Sequence, residues 1–112
     1  MRLKILIDDA RSIWDPRLPR HDYDIQFTNA KSFIFLLDCC GGKLDIDFIS
    51  FDHDLGVGLN GYDCAKYLVE WLNTHNKDIP DYHVHSMNVV GAERIRNIIE
   101  DARKYNAASR TS

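Results

Sequence analysis

Asp8-Asp9, Asp52-His53-Asp54 and His85-Ser86 are the residues of this chain best placed to do chemistry, because each group follows an apolar, β-prone run. Carboxylates crowded together repel one another unless a cation lies among them. An all-oxygen ligand set suits a hard divalent ion, Mg²⁺ or Mn²⁺. Asp8, Asp9, Asp52 and Asp54 are the candidate metal ligands. His53, between two acids, and His85, beside a hydroxyl, are the candidate acid/base pair. One would activate water and the other would protonate a leaving oxygen. Arg11, Ser86 and Asn88 are candidate partners for phosphoryl oxygens, and Arg11 could instead brace a carboxylate. Aspartates also gather after strands and at helix caps for structural reasons alone. The reading therefore depends on whether the fold brings the three groups together.

Local sequence pattern sets the elements that must do so. Leu3 to Ile7 reads as a buried strand that stops at Asp8-Asp9. Ala10 to His21 contains Pro16 and Pro19, which argue for a loop rather than a helix. Tyr23 to Phe27 alternates apolar and polar residues as a strand does. Thr28 or Asn29 caps a helix whose apolar face holds Phe33, Leu36, Leu37 and Cys40, and which stops at Gly41-Gly42. Asp45 to Phe51 is the third strand. Asn60 or Gly61 opens a second helix carrying Cys64, Leu68, Trp71 and Leu72, with Asp63 favouring its positive end. Tyr82 to Ser86 is a fourth strand, and Gly91 to Tyr105 is an amphipathic helix with Ala92, Ile95, Ile98 and Ile99 as its stripe.

This alternation predicts a parallel sheet with helices covering its faces. Right-handed crossovers allow the strand order 2-1-3-4. In that order the polar groups ending strands one, three and four meet at one edge, where open α/β sheets bind ligands. Gly56, Gly58 and Gly61 lead to a helix start and could cradle a phosphate, without Walker spacing. Gly91 offers a second such site. Of the remaining histidines, His83 is expected to be structural, while His21 and His75 lie in surface segments. Trp71 belongs to the core. Trp14 is expected to pack over the sheet edge, with base stacking as the alternative.

The 112 residues form one domain, 1–106, followed by a small, polar and flexible tail, 107–112. Hydrophobic residues make up 45 % and charged residues 28 %, as in soluble globular proteins. The net charge of −3 gives no broad basic surface for duplex nucleic acid. No apolar stretch approaches a membrane span or a signal sequence. Cys39, Cys40 and Cys64 lack paired spacing, so a reduced, cytoplasmic protein is expected.

"LIDDAR", "ISFDHDLGVGLNGYD" and "HVHSMNVVGAERI" resemble the motifs of the cyclic-phosphate-processing receiver-like family, DDxR, SLDHDLG…GxD and HSxN. The likeness spans nearly the whole chain, with Phe51 in place of the usual Leu. It implies a receiver-like, flavodoxin-like three-layer α/β sandwich, here with a reduced sheet of about four strands. It also implies action on cyclic phosphates or related nucleotides. Ordinary receivers have a further strand bearing a lysine, and a helix between strands one and two. Both are missing from this pattern, which weakens a signalling role through phosphorylation of Asp52.

The expected function is a metal-assisted phosphoesterase acting on a cyclic phosphate or nucleotide-derived substrate. The partner is then a small phosphorylated or nucleotide ligand. The alternative is a receiver-like module that binds a nucleotide or partner without turning it over.

Overall fold

The computed structural model describes residues 2–111, with side chains for 2–106. Four parallel strands, β1 (Arg2–Ile7), β2 (Ile25–Phe27), β3 (Asp45–Phe51) and β4 (Asp81–Val84), form one sheet in the order β2-β1-β3-β4. Three helices, α1 (Ala30–Cys40), α2 (Gly61–Thr74) and α3 (Val89–Thr111), accompany them. The order is the one the sequence predicts, and the topology is receiver-like.

The helix boundaries follow from caps. Asn29, in extended conformation, accepts a hydrogen bond from the Ser32 N–H and starts α1. Gly41, at φ 52°, lets the chain leave that helix. Asn60 and Asp63 form a reciprocal capping box on α2. The α3 helix runs to Thr111, past its expected end at Tyr105, and Ser112 lies outside the described residues.

Ile5, Ile7, Ile49, Phe51 and Val84 point to one face of the sheet. They share a core with Phe33 and Leu37 of α1, Leu68 and Leu72 of α2, and Ile95 and Ile99 of α3. All three helices therefore cover the same face. Handedness explains this. The β2→β3 and β3→β4 connections step across the sheet in one direction, so right-handed crossovers put α1 and α2 on one side. Only the β1→β2 connection steps the other way, and it is the proline-bearing loop. The third layer is thus that loop and not a helix.

The loop is nonetheless ordered against the second face. Leu18 and Tyr23 are buried on Leu6, with Ile13 and Phe48 packed alongside. Gln26 Nε2 donates to the carbonyls of Asp8 and Arg11, at 2.9 and 2.8 Å, tying the loop's first turn to β2. Tyr23, expected in the second strand, lies just before it as part of this packing. Trp14 does not pack over the sheet edge: it is 72 % exposed, with His21 as its aromatic neighbour. Trp71 is buried in the core as expected. No helix among the described residues is long and apolar enough to cross a membrane.

Candidate functional site

The carboxyl ends of β1, β3 and β4 meet at one edge, and Asp8 is the deepest group there. It follows β1 directly and its side chain is fully buried. A buried carboxylate needs compensation, and Asp8 has it on both oxygens. Oδ1 accepts from the backbone N–H groups of Ala10 and Arg11, each at 2.8 Å. Oδ2 accepts from His85 Nε2 at 2.8 Å and lies 3.7 Å from Arg11 Nη1. Burial pushes the Asp8 pKa up, but the bonds from His85, Arg11 and Ala10 outweigh it and hold the carboxyl below its usual range. Asp8 is therefore an anion.

Asp52 behaves in the opposite way. It follows β3, and its backbone N–H donates to Ile7 O at 2.9 Å, which fixes it beside Asp8. Burial first, and the negative charge of Asp8 second, raise its carboxyl pKa; a bond to Ser86 opposes them in part. One oxygen each from Asp8, Asp9 and Asp52 lies within 4.8 Å of the others. Such a cluster of hard oxygen donors, one anionic and one destabilised by its neighbour's charge, fits a divalent cation.

Asp54, also expected as a metal ligand, does not belong to this group. Its Oδ1 is engaged by His53 Nδ1 at 2.8 Å and by Asn88 Nδ2 at 3.4 Å. Those bonds lower its pKa, His53 contributing most. It still lines the same cleft, a space of about 380 Å³ bounded by Asp8, Asp9, Asp52, Asp54, Arg17 and Met87, among others.

The two histidines lie behind the cleft wall, on opposite faces of the sheet. His85 follows β4 on the loop face, and its N–H still donates to Phe51 O at 3.0 Å. Its side chain is 4 % exposed, and both ring nitrogens are occupied, Nε2 by Asp8 and Nδ1 by the Ser50 hydroxyl at 2.8 Å. With Nε2 donating to the carboxylate, Nδ1 accepts from Ser50. His85, expected as one of the acid/base pair, thus has a protein partner on each ring nitrogen, and one of those partners is Asp8. Replacing it by Ala leaves Oδ2 of the buried carboxylate without a hydrogen bond, so His85→Ala is expected to cost about 2–3 kcal/mol in urea denaturation. Unchanged stability would show that Asp8 does not depend on the ring. His83, stacked on His85 at 7° between planes, has its pKa lowered, burial being the largest cause.

His53 lies on the helix face. Nδ1 meets Asp54, while Nε2 is buried with no hydrogen-bond partner. The ring fills the space over Gly91, where an added Cβ would come within 2.3 Å of it. Gly91 is therefore a seat for His53 and not an anion site. Gly61 is likewise closed off, pressed against the backbone of Asp52 and His53. Gly56, at φ 77°, needs its freedom to turn the loop beside Asp9.

Two of the expected phosphate partners have other work. Asn88 caps α3, its Oδ1 accepting from Gly91 N–H at 2.9 Å, and its amide reaches His53 and Asp54. Arg11 donates from Nη1 to His85 O at 2.7 Å and braces Asp8. Ser86 stays beside Asp52. Sequence reading missed Arg17 and Met87 on the cleft and Ser50 behind it. Ser50 could have been found, because Leu6, Ser50 and His83 share a register row and Asp8 and His85 continue it by alternation.

The family model described as "Cyclic-phosphate processing Receiver domain" matches residues 3–101. No curated protein and no solved structure matches the chain.

Proposed function

The chain belongs to the cyclic-phosphate processing receiver domain family, and from that premise we propose that it is a divalent-cation-assisted phosphoesterase acting on a cyclic phosphate or nucleotide-derived substrate. The observation that carries this reading is the shared cleft: Asp8, Asp9 and Asp52 cluster on one wall, and Asp54 with His53 behind it forms another. Asp8, Asp9 and Asp52 would hold Mg²⁺ or Mn²⁺. When bound, the cation supplies Lewis-acid stabilisation of the charge that develops on phosphoryl oxygens.

The chain's own residues account for the rest. Arg11 and His85 hold Asp8 rigid and anionic. Ser86 orients Asp52. Hydrolysis adds water to phosphorus, breaks one ring P–O bond and leaves a monoester with a free hydroxyl. The departing oxygen needs a proton, and the hydrogen-bonded pair of His53 and Asp54 is the group at the cleft wall that can handle it. His85 is already committed to Asp8 and Ser50.

The test is incubation with Mn²⁺ or Mg²⁺ and a panel of 2′,3′- and 3′,5′-cyclic nucleotides, with products separated by charge. Turnover to the monoester is expected, falling on the order of 100-fold in His53→Ala. No turnover at any pH sinks the catalytic claim.

A second reading is favoured by one observation. His53 Nε2 is buried and both nitrogens of His85 are taken, an arrangement suited to a module that binds a phosphorylated ligand and leaves it intact. Saturable binding with full recovery of intact cyclic nucleotide would select it.

A further inference from the structure

The cleft has four carboxylates on its walls and two guanidiniums: Arg11, 12 % exposed and tied by Nη1 to His85 O, and Arg17, the more exposed of the two. Nothing in the motif pattern points to Arg17, because it comes from the proline-bearing loop. Its position is nevertheless built. Asp15 Oδ1 accepts from both the backbone N–H and Nε of Arg17, at 2.9 and 3.0 Å, and Oδ2 accepts from Nη2 at 2.7 Å. Asp15 in turn lies 3.6 Å from Arg11 Nε. Arg11 is pinned to His85 O and Asp8. A chain of contacts thus runs from the buried end of β4 through Arg11 and Asp15 to Arg17 at the cleft rim.

The fork of Asp15 occupies Nε and Nη2, so the Nη1 side of Arg17 has no hydrogen-bond partner among the described residues. The side chain is 66 % exposed, so that edge is within reach of a ligand in the cleft. A guanidinium gripped bidentately on one side is pre-ordered, and a ligand anion loses less side-chain entropy on binding it.

We propose that Arg17 is the anion-recognising and specificity-determining residue of the cleft, grasping the phosphoryl group of a ligand held there. This inference rests on the reading of the cleft as a phosphate-ligand site. It makes the loop part of the binding machinery. The loop takes the place of a receiver helix and adds a second, more exposed guanidinium to a cleft in which carboxylates outnumber cations. The ligand class it selects is a phosphate ester or diester; a neutral ligand gains nothing from it.

The experiment is calorimetric titration of the full chain, wild type and variants, first with Mn²⁺ alone and then, Mn²⁺-saturated, with inorganic phosphate and with adenosine 2′,3′-cyclic monophosphate. Arg17→Gln is expected to leave Mn²⁺ affinity within about twofold and to weaken both phosphate ligands by about tenfold, as loss of one charge-assisted hydrogen bond does. Arg17→Lys should recover part of that loss. The exposed position makes both variants compatible with the fold, and matching thermal midpoints confirm it. If wild type binds both anions and Arg17→Gln binds them equally well, the Arg17 inference is overturned while the cleft reading stands. If wild type takes Mn²⁺ but neither anion, the cleft reading fails and this inference with it.

Discussion

Asp52→Asn is expected to change the response of this protein to divalent cations and its stability without them in opposite directions. In the cation-free protein the Asp52 carboxylate is half-buried and faces the anionic Asp8. Asparagine keeps the shape and removes the repulsion. After allowance for solvent screening, a gain on the order of 1 kcal/mol is expected. With Mg²⁺ or Mn²⁺ the order reverses. At a cation concentration 100 times Kd, wild type gains about 2.7 kcal/mol, whereas a variant weakened 100-fold gains about 0.4 kcal/mol. For a domain of this size that is about a 10 °C rise in Tm for wild type and little for the variant. A thermal series with and without cation reads both effects. A variant that is no more stable without cation, or equally stabilised with it, would remove Asp52 from the cluster.

The pH dependence carries the same signature. The folded pKa of Asp52 lies above its ordinary value of 3.8, so between the two the folded state binds more protons than the unfolded. Its contribution to stability is fully present below 3.8 and is lost as pH rises through the folded value. Asp8 runs the other way: its lowered pKa gives stability that is present above 3.8 and lost as pH falls through its folded value. Wild type without cation should therefore show a fall in stability on the alkaline side of 3.8 that Asp52→Asn lacks. Cation affinity should weaken on acidification through the same raised pKa, because a proton competes for Asp52.

Much of this site was legible because local rules place its parts. Strand alternation marks the ends at which Asp8, Asp52 and His85 sit, and one-way crossovers make those ends neighbours. Asn29 and Asn60 announce their helices by residue type. The loop between β1 and β2 was not legible beyond being a loop. It has no periodicity, and Leu18 and Tyr23 gain their burial only from the sheet face left open by the missing helix. Arg17 was invisible for the same reason. The histidines were recognised as residues of the site, but their roles turned on distances. His85 lies one hydrogen bond from Asp8, a partner 77 positions away in the chain. Asn88 illustrates a competition among roles: a residue fit to hold a phosphate is also a good helix cap, and here the helix start claims it.

Gly61→Ala is expected to be among the most damaging single-methyl additions at a glycine, although Gly61 makes no ionic contact. An added Cβ would lie 2.0 Å from the Asp52 carbonyl oxygen and 2.9 Å from His53 Cα. These are backbone atoms at the end of β3 and cannot rotate away. The start of α2 would have to lift off, stretching the Gly61 N–H bond to His53 O, now 2.8 Å, and straining the Asn60–Asp63 capping box. A loss of about 3 kcal/mol or more is expected in chemical denaturation. Two other glycines separate this cause from generic glycine effects. Gly58→Ala meets open space and suffers only from its φ of 102°, a cost of about 1 kcal/mol. Gly91→Ala meets the His53 ring, which must leave its bonds to Asp54 and Asn88 but is a side chain and not backbone, so it should cost less than Gly61→Ala while perturbing the His53 ring signals in NMR spectra. The expected ranking puts Gly61 first, then Gly91, then Gly58, with cation affinity falling alongside stability in Gly61→Ala, because the displaced backbone carries Asp52. Equal losses at all three positions would mean that the α2 start does not clamp the site.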